Sequence, residues 1–220
     1  MNEQKKTART AGLWWLLFII AGPVSYLVVD GKLLAPGDTA ATLGNIGANT
    51  TMFWAGAAAF FAGYAFFILL GRTLCKLFKT VGLGLTKTMM CLVIAGTVLV
   101  AAGKVAEIAG AVSQNVETAA FLFDLRANIE ITVELFWGLW LIPLVLLIFK
   151  SNFFPKIIGA AAVLAVVYHL AVFGAFFTTG IDVSVNPVLM AFGMIGELAV
   201  VLWLLIKGVK TASGSGEMSQ

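Results

Sequence analysis

The sequence predicts an all-α integral membrane protein, a bundle of six transmembrane helices with both termini in the cytoplasm. Of its 220 residues, 60% are hydrophobic and only 11% are charged, whereas soluble domains carry about 25% charged residues. Six apolar runs are each long enough to cross about 30 Å of hydrocarbon; they cover residues 11–29, 52–71, 88–109, 122–149, 156–178 and 187–207. We therefore expect one transmembrane domain over residues 1–210.

Basic residues alternate between the two sides of this predicted bundle. Eleven of the 14 lysines and arginines lie in the N-terminus, the second and fourth loops and the C-terminus, and the opposite side holds Lys32 alone. The positive-inside rule then places both termini in the cytoplasm. The alternative, a cleaved signal peptide in the first run, is disfavoured because no small-residue cleavage site precedes Val29. The partner that these basic residues imply is the lipid bilayer, not nucleic acid.

Turn and capping residues separate the runs. Asp38, in PGDTAATLGNI (36–46), is placed to cap a short helix in the first outer loop, and Pro155 and Pro187 stand near helix starts. Gly22-Pro23 and Pro143 are expected to bend their helices. The polar tail, residues 211–220, is expected to be disordered.

Small and aromatic residues predict how the helices pack and how deep they lie. Glycines recur every seven residues and so form close-packing stripes: Gly96, Gly103 and Gly110 in the third span, Gly56 and Gly63 in the second. Tryptophans are expected in interfacial belts: Trp14, Trp15 and Trp203 at the cytoplasmic side and Trp54 at the outer side. Cys75 and Cys91 are expected to be reduced, structural thiols.

Ionisable residues crowd the outer half of the predicted spans. Counting 1.5 Å per residue from the basic residue that ends each span places Glu197 at the midplane and His169 about two-thirds of the way across the fifth span. Glu134 and Lys104 then lie roughly 6 Å inside the outer boundary. The remaining residues are expected at that boundary or in the headgroups: Glu107, Glu130, Asp124 and Arg126.

These eight residues are the candidates for binding a ligand or an ion. A charge at a helix centre costs about 2.5–3.5 kcal/mol, so Glu197 is expected to be paired, hydrated or protonated. Simpler interpretations stay open: the boundary residues snorkel to water, Lys104 and Glu134 form structural ion pairs, and His169 makes an interhelical hydrogen bond. Lys104 or Arg126 can pair with Glu107, Glu130 or Glu134, and spacing does not choose among them.

Signatures of catalysis and of cofactors are missing from the sequence. It contains no HExxH, GxSxG or P-loop motif and no run of acids suited to magnesium diphosphate. Its single histidine excludes bis-histidine haem within a monomer. A divalent metal held by glutamates and His169 stays open, no cofactor is expected, and an enzyme is not favoured.

Several segments resemble one protein family. TARTAGLWWLLFIIAG, PGDTAATLGNI, FWGLW with KSNFFPKIIG, and IGELAVVLWLLIKG are together similar to the bacterial and archaeal membrane proteins grouped as domain of unknown function 4386, over residues 7–208. The resemblance implies a multi-span plasma-membrane protein without an established activity. Its matched positions are Phe153, Pro155, Lys156, Gly159, Gly196, Glu197, Leu202, Trp203, Lys207, Gly208 and Asp124, whereas Trp140 stands where it implies a histidine.

Three functional hypotheses follow. The leading one is a protein that binds or translocates a small ligand, a cation or a proton through an outward-facing polar cavity, with Glu197 and Glu134 as the deep acids and His169 relaying protons between them. The second is a structural or regulatory subunit, in a homo-oligomer or with a partner membrane protein, whose ion pairs are silent. A membrane-embedded enzyme ranks third.

Overall fold

The computed structural model describes residues 3–210 and confirms the all-α fold. Six helices in this range are long and apolar enough to cross a membrane: α1 (Glu3–Leu33), α3 (Thr50–Phe78), α4 (Leu83–Ala111), α5 (Val116–Lys150), α6 (Lys156–Thr179) and α7 (Pro187–Ile206). A short helix, α2 (Thr39–Ala48), lies in the first connection, where the Asp38 side chain accepts a hydrogen bond from the Ala41 N–H at 2.9 Å. The predicted disordered tail, residues 211–220, lies outside the described residues.

Most spans extend further than their apolar runs. Helix α5 begins at Val116 instead of residue 122 because Asn115 caps it, accepting a hydrogen bond from the Thr118 N–H at 2.9 Å. Hydropathy marks where a helix leaves hydrocarbon, whereas capping decides where the helix itself begins. Asp124 and Arg126, which the predicted span over residues 122–149 already includes, lie inside α5.

Helix α1 changes its winding where a bend was expected. After Pro23, which has no N–H to donate, residues Val24–Asp30 adopt a π-helix, and the Gly31 N–H bonds to the Tyr26 carbonyl five residues earlier. The segment carries Tyr26 and Asp30 into the interior, where Asp30 is 7% exposed. Such wide turns within α-helices are frequent at functional sites.

The glycine stripes are confirmed as packing faces. A Cβ atom on Gly96, Gly103 or Gly110 would lie 3.0–3.1 Å from side chains of α5. In the second stripe, a Cβ on Gly56 would lie 2.5 Å from Val29 of α1, and one on Gly63 would lie 3.1 Å from Ala21. Each stripe therefore lets the neighbouring helix approach closely.

The two ends of the bundle differ in character. At the end where α1 begins, which we call the basic end, the Arg9 Nη2 donates to the Ile206 carbonyl at 3.2 Å and the Lys210 N–H bonds to the Phe153 carbonyl at 3.0 Å. Above it the core is closed by apolar side chains that are fully buried, among them Leu70, Leu74, Leu144 and Leu204. That the basic end faces the cytoplasm stays a prediction.

One interfacial assignment was wrong. Trp15 is fully buried instead of lying in an aromatic belt, because its indole packs against Trp140 at a centroid distance of 5.4 Å. Trp54, by contrast, is 46% exposed near the opposite end. Among the described residues Cys75 and Cys91 are free thiols.

Candidate functional site

Five charged side chains form a cluster at the end opposite the basic end. We call Asp30, Lys104, Glu107, Arg126 and Glu130 the charge cluster. The Lys104 Nζ lies 2.8 Å from Glu107 and 3.2 Å from Asp30. The Arg126 guanidinium lies 2.7 Å from Asp30 and 2.8 Å from both Glu107 and Glu130. The cluster joins α1, α4 and α5, and its formal charge is −1.

The charge cluster settles which residues pair. Lys104 and Arg126 both contact Glu107, which is only 1% exposed, so Glu107 is paired inside the bundle and does not snorkel to water. The reason is that α5 continues past Arg126 and covers this part of α4. Neither base contacts Glu134. Lys104 is 2% exposed, and its Nζ also lies 5.0 Å from the centroid of the Phe60 ring, a cation–π distance.

A second group of ionisable residues lies nearer the middle of the bundle. We call Glu134, His169 and Glu197 the triad. The His169 Nδ1 lies 2.6 Å from the Glu134 Oε2, and its Nε2 lies 3.2 Å from the Glu197 Oε1. The Trp15 Nε1–H donates to the other oxygen of Glu197 at 3.3 Å. The triad thus links α5, α6 and α7, and Trp15 adds α1.

Glycines bring the three triad helices close together. A Cβ on Gly138, one turn after Glu134, would lie 2.6 Å from Leu170, the residue after His169. A Cβ on Gly196, directly before Glu197, would lie 2.7 Å from Ala165, one turn before His169. These close approaches let short carboxylate side chains reach the imidazole.

The contacts of His169 limit how many protons the triad holds. A neutral imidazole has one N–H donor, and an imidazolium has two. Both contacts are hydrogen bonds if an imidazolium lies between two carboxylates, or if a neutral imidazole lies between one carboxylate and one carboxylic acid. These are the states with the fewest protons, two among three groups, and in either of them the triad carries a net charge of −1. A third proton keeps both hydrogen bonds, because an imidazolium N–H also donates to the carbonyl oxygen of a carboxylic acid, and it makes the triad neutral.

The triad lines a cavity of about 390 Å³ between helices. We call it the central cavity. Six aromatic side chains form much of its wall: Phe18, Tyr26, Tyr64, Phe67, Trp137 and Trp140. Ile19, Gly22, Pro23 and the triad complete the lining. The volume lies within the range typical of small-molecule sites, as does an apolar wall with a few converging polar groups.

A second cavity of about 400 Å³ adjoins the first on the side away from the basic end. We call it the loop-side cavity. Both share Tyr26, Tyr64, Glu134 and Trp137 as lining residues. The loop-side cavity is also lined by Glu130 and by Asp182, Ser184 and Val185 of the exposed α6–α7 connection.

Glu130 and Glu134, one helical turn apart in the segment NIEITVELFWGLWLI (128–142), therefore face different groups. Glu130 contacts Arg126 of the charge cluster, whereas Glu134, one turn later, contacts His169 of the triad. The loop-side cavity lies between the two carboxylates.

The eight candidate residues separate into three sets. Glu197, Glu134 and His169 meet in the triad, and Glu107, Glu130, Lys104 and Arg126 meet in the charge cluster. Asp124 joins neither and lines a separate cavity with Arg126 near α2. Within residues 3–210 no group of three or more His, Cys, Asp or Glu side chains is arranged to hold a metal ion. The metal alternative therefore has no geometric support in this range.

Sequence reasoning missed Asp30 and the aromatic wall. Asp30 ends the first apolar run beside Lys32, so it looked like a boundary residue, and only the π-helix turns it inward. Tyr26, Tyr64 and Trp137 carry no charge that marks them within an apolar span. Their one signal was spacing: Tyr64 follows Gly63, whose missing side chain admits α1.

Comparison with known proteins gives one match. The sequence profile of the family described as "Domain of unknown function (DUF4386)" matches residues 10–208. No curated protein and no solved structure matches the chain. The match covers nearly all of the six-helix bundle, including the triad and the charge cluster. The chain is a multi-pass membrane protein that belongs to the DUF4386 family.

Proposed function

We propose that the protein binds a small organic cation in the central cavity, as a multi-pass protein of a prokaryotic plasma membrane with both termini in the cytoplasm. One observation carries the proposal: six aromatic side chains line a cavity together with two carboxylates and the histidine that contacts both. Aromatic faces and a nearby carboxylate are the groups that recognise quaternary ammonium ions.

The net charge of the triad favours a ligand that carries one positive charge. With two protons on its three groups, the triad carries −1 in the interior of an apolar bundle, where an uncompensated charge is costly. A ligand with one positive charge neutralises it. An anion would add to the charge already present, and a neutral ligand would leave it unbalanced.

The shape of the cavity supports an organic ion over a hydrated inorganic one. About 390 Å³ exceeds what a bare metal ion needs. Most of the wall is carbon and ring face, which replaces water poorly around Na⁺ or K⁺. An alkylated ammonium ion, by contrast, donates few or no hydrogen bonds, and it gains from contact with rings such as Trp137 and Trp140.

The structure around the triad favours entry of the ligand from the end of the bundle opposite the basic end. The loop-side cavity leads from the exposed α6–α7 connection to Glu134. Toward the basic end the buried leucines close the bundle. With the basic end in the cytoplasm, the site faces outward.

A structural role is the second candidate function, and the charge cluster favours it. Its bases and acids contact one another across three helices, so the cluster acts as an internal fastener without a ligand. This accounts for the charge cluster but not for the cavity beside the triad.

Binding of choline and of its neutral carbon isostere, 3,3-dimethylbutan-1-ol, to the purified protein tests the proposal. The two compounds have the same shape and differ in charge. We expect choline to bind at least about tenfold more tightly, about 1.4 kcal/mol. Glu197→Gln and Glu134→Gln should each remove most of that preference. Glu117→Gln, at an exposed position on α5, is the matched control and should preserve it. Equal binding of both compounds, or a preference unchanged in both triad variants, contradicts the proposal.

A further inference from the structure

An apolar groove lies on the membrane-facing side of the triad. We call it the lateral groove. It has a volume of about 400 Å³ and runs between α1 and α7. Its lining consists of Ile19, Pro23, Tyr168, Met190, Gly193, Met194, Glu197 and Leu198. Met190 is 41% and Met194 58% exposed, on a surface that a spanning helix turns to lipid. The groove therefore opens toward the hydrocarbon of the bilayer.

The lateral groove and the central cavity share a wall. Ile19, Pro23 and Glu197 line both. Glu197 stands halfway along α7, ten residues after Pro187 and nine before Ile206, so the shared acid lies at mid-depth. Its carboxylate is the acidic group of the groove lining.

Local features of the chain produce the groove. Gly193 leaves room for the Tyr168 ring, since a Cβ there would lie 2.8 Å from that ring. The Tyr168 hydroxyl donates to the Ser184 carbonyl at 3.2 Å, which holds the ring across the space between α6 and α7. On the other side Pro23 begins the wide turn of α1 and presents no N–H.

We propose that the ligand is an amphipathic cation with an alkyl chain, which reaches the central cavity from the bilayer through the lateral groove. This rests on the proposed function and names its ligand class. The positive head lies against Glu197 among the aromatic rings, and the chain lies along Met190 and Met194. An acid at mid-depth in an apolar, lipid-facing groove complements a molecule that is itself charged at one end and apolar along its length.

The route also avoids a large cost. A chain that stays in hydrocarbon keeps its apolar surroundings, whereas a chain that reached the site through water would first have to expose each of its methylenes to water, which is unfavourable. Water access through the loop-side cavity suits a small head group. The lateral groove suits a chain.

Two measurements on the protein in lipid nanodiscs test the inference. The first compares the affinity for tetramethylammonium, a head group alone, with that for dodecyltrimethylammonium. Met194→Trp fills the groove, and it should weaken dodecyltrimethylammonium binding at least about tenfold, because the indole occupies the space that the alkyl chain needs. Tetramethylammonium binding should stay within about twofold. Ile195→Trp, at the adjacent exposed position outside the groove lining, is the matched control and should change neither.

The second measurement locates the chain directly. A dodecyltrimethylammonium analogue with a photoreactive diazirine at the chain end should label peptides that contain Met190, Met194 or Leu198. Labelling confined to the 182–185 connection overturns the lateral route. So does equal weakening by Met194→Trp and Ile195→Trp. If tetramethylammonium binds normally in either case, the proposed function survives. If tetramethylammonium does not bind, both proposals fail.

Discussion

Replacing Lys104 by methionine tests whether the charge cluster fastens the bundle. Lys104 is 2% exposed and its ammonium lies 2.8 Å from Glu107 and 3.2 Å from Asp30. Methionine fills similar volume but leaves three acids facing one arginine, so the formal charge of the cluster goes from −1 to −2. Removing one partner of a buried pair costs about 3–5 kcal/mol. On the soluble-protein scale of about 2–4 °C per kcal/mol for this chain length, the thermal midpoint should fall by about 6–20 °C.

The assay is thermal unfolding of the purified protein in detergent, followed by the loss of its monodisperse peak in size-exclusion chromatography. Lys87→Met, an exposed position on the same helix, is the matched control and should shift the midpoint little. Adding Glu107→Gln to Lys104→Met returns the formal charge to −1 and should recover part of the loss. If Lys104→Met is no more destabilising than Lys87→Met, or if Glu107→Gln deepens the loss additively, the fastening argument is wrong.

Three further outcomes are expected. Protons and cations should compete for the triad, because a third proton removes its net negative charge. Choline affinity should therefore fall by up to about tenfold per pH unit over the range in which that proton binds. An affinity that stays constant down to the lowest pH at which the protein remains folded would contradict this. The groups that face His169 are the two triad acids and Tyr168, and Trp15 donates to Glu197. Gly196→Ala should lower the thermal midpoint, because the added Cβ would lie 2.7 Å from Ala165. Gly174→Ala is the matched control and should leave the midpoint unchanged, since a Cβ there would meet nothing within 4 Å. Equal midpoints for the two variants would refute the close-packing argument. Trp15→Phe removes the donor to Glu197, so it should change the pH profile of choline binding while leaving the fold intact, and an unchanged profile would show that this hydrogen bond is irrelevant to the site.

Much of the architecture follows from the sequence because lipid imposes simple rules. The apolar runs predict six spans, and the seven-residue glycine spacing predicts which faces pack, since both depend on local composition and helical geometry alone. The ends of the spans do not follow as well. Asn115 caps α5 and extends it beyond its apolar run, so that the helix begins at Val116 instead of residue 122.

The candidate site follows only in part. Glu134, His169 and Glu197 are conspicuous as ionisable residues within apolar spans, so the sequence picks them out individually. Which acid meets which base depends on how the helices rotate against one another, and spacing within one helix does not determine that. Asp30 shows the limit most clearly: its inward position depends on a π-helical turn after Pro23, which hydropathy does not register.

The lateral groove depends on tertiary structure throughout. Met194 and Leu198 look like ordinary lipid-facing residues in the sequence, and Gly193 like one more packing glycine. Only the position of the Tyr168 ring over Gly193 makes the space between α1 and α7 a groove that ends at Glu197.

The most direct test of the account is to locate a bound cation. Tetramethylarsonium has the shape of tetramethylammonium, and its arsenic atom gives an anomalous X-ray signal. In crystals grown with it, the account predicts an arsenic peak inside the central cavity, among the aromatic rings and within ion-pair range of Glu197 or Glu134, and no such peak with Glu197→Gln. A peak found only outside the bundle, or one that persists unchanged in that variant, would contradict the claim that the triad is the counterion of a bound organic cation.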